Sequence, residues 1–321
     1  MKKVLKVVLS LLLIVVLAAG CFYVWAGMRV TDLRARTIAT HTVDFPVPFP
    51  LAPSDADALG PDSAAEVAEA RAVERGKHLI ESRYVCTECH GANLGGGTMI
   101  DDPAIGTVLG PNITTGQGSV VLDYDAADWD RAVRHGVAPS GRPTLMPAQD
   151  FQMMSDQELS DILAYIRTVP PVDNQVEPLR VGPVGRILLA LGQIRFAADE
   201  IARHDAPHPD TPPVAEASVE FGKHLSGVCT GCHRANLSGG PIAGGDPSWP
   251  TAANLTPHAD GLAAWSYEDF VRAMREAKKP DGSDLLQPMV SMTNFTRNMS
   301  ETELQALWMY LGSLPATPTG D

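Results

Sequence analysis

The longest apolar run lies at the start of the chain. Lys2, Lys3 and Lys6 are followed by 22 residues, Val7 to Met28, without a charge, long enough to span a bilayer as a helix. Lysines ahead of such a helix place that end in the cytoplasm and everything after Arg29 outside. Two later stretches carry the period of a helix with one buried face: Leu159, Ile162, Leu163 and Ile166, and again Leu304, Leu307, Trp308 and Leu311. Each follows a capping box, Ser155-x-x-Glu158 and Ser300-x-x-Glu303, and each is stopped by a proline, Pro170 and Pro315. Val184 to Leu191 is apolar enough for a short helix, too short to span a bilayer and expected to pack two halves of the body together. No stretch has a convincing strand period, so the pattern predicts an all-α body behind a membrane helix.

The leader allows more than one processing outcome. Leu17-Ala-Ala-Gly20-Cys21 resembles a lipoprotein cleavage site. Against this, Ala18 stands where leucine is usual, and Phe22-Tyr-Val-Trp25 prolongs the apolar run beyond the cysteine. An uncleaved anchor over residues 1-28 is expected, with Tyr23 and Trp25 at the interface; every outcome leaves the same exported body. Residues 29-63, with Phe45-Pro-Val-Pro-Phe-Pro50, predict an extended stalk that holds the body off the membrane.

Beyond the stalk one pattern is written twice. Val73-Glu-Arg-Gly76-Lys-His-Leu79 is echoed by Val219-Glu-Phe-Gly222-Lys-His-Leu225, Ala92-Asn-Leu94 by Ala235-Asn-Leu237, Asn112-Ile-Thr114 by Asn254-Leu-Thr256, and Asp128-Trp-Asp-Arg-Ala132 by Asp269-Phe-Val-Arg-Ala273. The order is kept throughout, which divides the body into a domain at 64-172, a linker at 173-215 and a second domain at 216-321. At 321 residues and 45% hydrophobic content the chain can build two proper cores. Its net charge of -13 argues against nucleic acid and toward basic or neutral docking partners.

The chemistry sits in four of the five cysteines: Cys86-Thr-Glu-Cys89-His90 and Cys229-Thr-Gly-Cys232-His233. Cys-x-x-Cys-His is the attachment pattern of haem c, in which each thiol adds to a vinyl group and the histidine meets the iron. A zinc site would need further Cys or His at finger-like spacing, a redox dithiol would need a strand-to-helix frame, and neither context is present. Two covalently bound haem c groups, with iron on His90 and His233, are therefore expected. No Ser/His/Asp arrangement, phosphate loop or flavin fingerprint can be placed, so no catalytic residue is assigned.

On these motifs the chain resembles membrane-anchored dihaem cytochromes c, two class I cytochrome c domains in tandem, over residues from about 65 to 317. The resemblance implies a helix crossing at a glycine against an aromatic, Gly76 with Tyr165 and Gly222 with Tyr310. It implies a methionine as sixth iron ligand from the loop before the last helix, where Leu145-Met146-Pro147 matches the family's Met-Pro motif and Met153 and Met154 read as packing residues. In the second repeat, Leu286-Gln-Pro-Met289-Val-Ser-Met292 lacks the Met-Pro pair; Met289 is the expected ligand, with Met292 or an iron without a methionine as alternatives. The Pro111 carbonyl, and in the second repeat that of Ala253, would take the proximal histidine's other nitrogen. His78 and His224 read as helix residues rather than ligands, His135 as a surface residue or one beside the site, and Arg83, Arg131 and Arg272 as candidates for haem propionates.

The function implied is a membrane-held carrier of single electrons on the periplasmic side, itself not an enzyme. Its partners would be a dehydrogenase, a respiratory complex or a terminal oxidase, with no small-molecule substrate. The alternative is a dihaem cytochrome c peroxidase, which needs an iron that opens to peroxide and acid-base residues beside it; its Phe-x-x-Pro-x-Leu-Arg-Asn-like segment is not found here.

Overall fold

The structure is a computed structural model that describes residues 1–242, 245, 246 and 248–320. Each repeat folds around one helix crossing. In the first domain Pro61–His78 packs on Asp156–Thr168, and in the second Val219–Leu225 packs on Glu301–Ser313. The apolar faces read from the period are the ones buried. Leu159, Ile162, Leu163 and Ile166 join Leu79, Ile80, Tyr84 and Phe151, while Leu304, Leu307 and Leu311 join Phe221, Leu225 and Phe270. Both capping boxes form, with Ser155 and Ser300 each accepting from the backbone amide three residues on.

The crossings require glycine. A Cβ on Gly76 would fall 1.9 Å from the Asp161 carbonyl oxygen and 2.9 Å from Tyr165 Cβ; on Gly222 it would fall 1.9 Å from the Ala306 carbonyl oxygen and 2.7 Å from Tyr310 Cβ. No real side chain tolerates a backbone carbonyl that close, so the helices would have to move apart.

The two domains meet through their charged helix ends. His78 of the first domain hydrogen-bonds Glu303 of the second through Nε2 at 3.0 Å, and His224 of the second hydrogen-bonds Glu158 of the first at 2.9 Å. The pairs are repeat equivalents, so the interface is built the way an isologous dimer interface is. Arg83 lies between them, donating to Glu158 at 3.1 Å and to Glu303, and its guanidinium stacks over Phe221 at 5.3 Å. Both glutamates are 2% exposed. Burial alone would raise the Glu303 carboxyl, but the His78 hydrogen bond and the Arg83 charge outweigh it and hold it at about 2.

Three expectations change. The first domain contains a small sheet: Gly97–Asp102 pairs antiparallel with Gly106–Gly110, and Arg180–Val181 adds to the outer edge. A register shift between Thr98 and Ile100 breaks the strand period, and Gly97, Gly106 and Gly110 dilute it further, which is why no alternation is visible. The stalk is not free. The N-terminal helix runs from Lys2 to Ala35, and the chain after it lies extended along the first domain as a strap. Phe45 enters the first core with Val43, Val47 and Phe49 against it, Ser160 Oγ donates to the Pro46 carbonyl, and Ile38 N–H donates to the Gly141 carbonyl. Apolar residues at every second position bury one face of an extended chain, and the prolines between them have no backbone N–H that needs an acceptor. The linker helix Pro183–Ala190 packs against the N-terminal helix instead of between the domains: Arg186 lies over the Tyr23 ring at 5.0 Å, and Leu189 joins Val30 and Phe196.

Gly76→Ala is expected to cost about 3 kcal/mol, the upper range for overpacking, read as a lowered melting temperature of the holoprotein. Gly312→Ala, on the closing helix with open space around it, is expected to be neutral or slightly stabilising. Arg83→Met strands two buried carboxylates and is expected to cost about 3–5 kcal/mol, with the domains separating earlier under limited proteolysis.

Candidate functional site

In the first domain the pentad is itself a short helix, Cys86–His90, entered through Val85 at φ 43° and left through Gly91 at φ 77°. The hairpin presses against it so closely that a Cβ on Gly110 would lie 1.8 Å from the Cys89 carbonyl oxygen. Cys86, Cys89, His90 and Met146 all line one cavity of about 590 Å3, with Tyr84, Ile113, Trp129, Val133, Phe151 and Ile162 as apolar wall. His90 Nδ1 donates to the Pro111 carbonyl at 2.8 Å. That bond assigns the ring proton to Nδ1 and leaves the Nε2 lone pair for a metal. Burial pushes the His90 imidazole below its ordinary value, against the opposing pull of Pro111, so the ring is neutral at pH 7.

The carbonyl that orients His90 is itself held. Asn112, next in the chain, is fully buried; its Nδ2 donates to the Val172 and Asn174 carbonyls, and its Oδ1 accepts from the amide and hydroxyl of Thr114. The second domain repeats the device. His233 Nδ1 donates to the Ala253 carbonyl at 2.7 Å, Asn254 Nδ2 donates to the Thr317 carbonyl, and Asn254 Oδ1 accepts from Thr256. The Asn-x-Thr match in the sequence is thus a clamp that ties the histidine's acceptor to the chain beyond the last helix.

The donor sets suit haem c. Burial pushes the Cys86 and Cys229 thiols up to about 12, far from the lowered values that mark a reactive dithiol or a metal thiolate. Paired thiols, a neutral imidazole with its outer nitrogen free, and an apolar cavity fit attachment of the macrocycle. Met154 also lines the cavity but is wedged in the core at 1% exposure, while Met153 packs over Gly227 of the second domain.

The distal sides differ. The Thr144 amide donates to the Gly136 carbonyl and the Leu285 amide to that of Ala277, so the two loops align through these bonds. In that register Gln287 stands where Met146 stands in the first domain. Pro147 is followed by Ser155 after 8 residues and Pro288 by Ser300 after 12, one extra helical turn, and the addition forms the helix Met289–Thr296. Met289 begins that helix and packs on the second core beside Cys229 and Leu255; Met292 lies three residues on.

Of the arginines considered for propionates, Arg83 is at the domain interface, while Arg131 pairs with Asp128 at 2.6 Å and Arg272 with Asp269 at 2.7 Å. The cationic residues on the first cavity wall are Arg34 and Arg142. Arg34 belongs to the N-terminal helix, whose last turn also brings Thr31 and Ala35 to the cavity. Nothing in the sequence signals that proximity, because it depends on how the strap folds back.

The cytochrome c family pattern matches this chain twice, over residues 73–170 and 219–315. The chain belongs to the cytochrome c family. It carries two haem c groups and transfers electrons. Curated relatives include the cytochrome c subunit of gluconate 2-dehydrogenase from Pantoea cypripedii, 31% identical over 297 residues, covering 80% of this chain and 64% of the relative. Another is the cytochrome c subunit of alcohol dehydrogenase (quinone) from Gluconacetobacter polyoxogenes, 28% identical over 254 residues, 72% of this chain and 53% of the relative. A diheme cytochrome c-type protein from Cereibacter sphaeroides is 25% identical over 264 residues, 72% of this chain and 82% of the relative. The cytochrome thus spans between half and two-thirds of the length of these two dehydrogenase subunits.

The distal loop of the first domain touches the attachment segment of the second. The turn Ala148–Phe151 packs on Ser226–Cys229 and Thr230–His233, where a Cβ on Gly231 would lie 2.5 Å from Asp150 Oδ1. Burial pushes the Asp150 carboxyl up to about 7. A folded value above the ordinary 3.8 means that the stability from the neutral acid is lost as pH rises from about 4 through about 7. Asp150→Asn is therefore expected to match the wild-type holoprotein at pH 4 and to exceed it by about 2–4 kcal/mol at pH 8; an equal difference in melting temperature at both pH values would contradict this.

Proposed function

We propose that this cytochrome is a membrane-tethered two-haem relay serving as the cytochrome subunit of a dehydrogenase. Cys86 and Cys89 attach the first haem, with His90 and Met146 as iron ligands; Cys229 and Cys232 attach the second, with His233 and Met289. Each haem supplies a one-electron couple, and a thioether ligand favours the ferrous state and raises its potential. The chain's own residues hold the imidazoles at fixed angles through Pro111 and Ala253, keep water from the first site with Trp129 and Phe151, and set the distance between the sites through Arg83, Glu158 and Glu303.

The observation that carries this reading is the packing of the Met146–Phe151 loop against the Cys229–His233 segment. It brings the distal side of one site to the attachment side of the other, an arrangement suited to passing electrons within the chain. The helix Lys2–Ala35 is long and apolar enough to cross a membrane, and its last turn lines the first cavity. In our reading this helix is a single-pass anchor, the body lies on the periplasmic side, and the first haem sits close to the membrane. The dehydrogenase relatives support a catalytic subunit as electron donor, a respiratory complex or terminal oxidase would accept, and peroxidase activity finds no support among the relatives.

Met146→Ala is expected to lower the potential of one haem and abolish its near-infrared methionine-to-iron band, while Met289→Ala does the same for the other; a band unaffected by either change would remove that ligand assignment. Tagged cytochrome extracted from membranes in mild detergent is expected to bring down an oxidoreductase subunit in equal amount and to be reduced by that subunit's substrate. Extraction as a monomer that no membrane dehydrogenase reduces would overturn the proposed partnership.

A further inference from the structure

His135, expected at the surface or beside the haem site, is in neither place but fully buried, and it does not stand alone. It belongs to a cluster on the side of the helix Ala126–His135 away from the haem cavity, where three separate stretches of chain each bring a histidine to one carboxylate. His41 comes from the strap, His208 from the linker, and Asp130 and His135 from the first domain. The three imidazole centres lie 5.1, 5.3 and 5.5 Å apart, and Nε2 of His135, His41 and His208 stand 3.5, 3.8 and 3.9 Å from Asp130.

The hydrogen bonds behind the rings fix what each presents to the centre. His41 Nδ1 faces the His204 carbonyl, and His208 Nδ1 faces the Gln152 carbonyl. Carbonyls only accept, so both Nδ1 atoms carry protons. His135 Nδ1 faces His204 Nδ1, while His204 Nε2 faces the Ala198 carbonyl; His204 must donate through Nε2 and accept through Nδ1, so His135 also has its proton on Nδ1. In the neutral rings three Nε2 lone pairs therefore point at one spot. Asp130 completes the arrangement: its Oδ2 faces His135 and His41, and its Oδ1, held by Arg134 at 2.7 Å, is the oxygen 3.9 Å from His208 Nε2. Arg134 is in turn neutralised by Asp156 at 2.7 Å.

These four atoms, Nε2 of the three histidines and Oδ2 of Asp130, are buried and make no hydrogen bond, although Asp130 and His135 are wholly inaccessible and the His41 and His208 side chains are only 10% and 6% exposed. Buried polar atoms without partners are costly, and four of them facing one another call for a shared cation. We propose that His41, Asp130, His135 and His208 form a structural zinc site that fastens the strap and the linker to the first domain. Four donors, one from each residue, lie within 4.8 Å of one another; tetrahedral donors at zinc distances of about 2.0–2.1 Å would be about 3.3 Å apart, so closure needs only small side-chain shifts. Three imidazoles exclude calcium and magnesium, which take oxygen ligands. Four protein ligands leave no open position, so the site holds structure and does not perform hydrolysis. The carbonyls and His204 behind the rings are the outer support that metal-bound histidines use.

The test uses the full-length cytochrome with both haems, purified without chelators. One zinc per chain beside two irons is expected by plasma mass spectrometry, with a zinc-edge X-ray absorption spectrum showing nitrogen and oxygen neighbours at about 2.0 Å and no sulphur. After dipicolinate treatment the holoprotein should rebind one equivalent of added zinc in calorimetry and recover a raised melting temperature. His41→Gln and His208→Gln, which alter the strap and linker while leaving the haem spectrum intact, should each weaken zinc binding by at least about 100-fold. Failure of the chelated holoprotein to take up zinc, a sulphur shell around the metal, or unchanged affinity in both variants would overturn the assignment.

Discussion

Two buried glutamates govern how the molecule is put together. Glu158 and Glu303 each begin as the third residue of a capping box, a local device that starts a helix. Each then uses its remaining oxygen capacity on a histidine of the neighbouring repeat and on Arg83 of the first domain, which reaches Glu158 within its own domain and Glu303 across the boundary. Carboxylates removed from water this completely persist only when every lone pair is engaged, so the interface tolerates one relative placement of the domains. That placement seats the Ala148–Phe151 turn on the second attachment segment.

Against this near-symmetric frame the two sites are unequal. The proximal halves are copies: an imidazole, a carbonyl behind it and an Asn-x-Thr clamp behind that. The distal halves diverge because one helical turn was added after Pro288, which moves methionine off the loop position and onto a helix start. The first site is walled partly by the N-terminal helix, and His233 is more exposed than His90. In the proposed relay, His90 and His233 as matching proximal ligands with different distal surroundings would give the two haems different potentials.

Among the described residues, the first domain carries additions with no counterpart in the second. The strap, the hairpin and the linker helix all wrap it, and through them the N-terminal helix is packed onto the folded body at Ala26 and Val30. The N-terminal helix, the strap and the first cavity therefore form one packed unit, and the second domain is fastened to the first domain by charge.

Much of this was legible in the chain itself. The apolar run, the two 3.6-residue periods, the capping boxes and the duplicated pentads each depend on neighbours within a few residues, so the sequence alone established two helical repeats, two haem attachments and an apolar N-terminal helix. The glycine crossings and the proximal carbonyls were also readable, through the family resemblance. Other features were not, because their meaning depends on residues far away in the chain. His78 and His224 recur in register, yet only the packed structure shows that each reaches a glutamate more than 60 residues distant. The strap's alternation of Val43, Phe45, Val47 and Phe49 was masked by its prolines, and the hairpin's by a bulge and glycines. His41, Asp130, His135 and His208 share no spacing that marks a site. Tertiary structure alone gathers them, since a binding centre assembled from strap, helix and linker exists only once all three are packed.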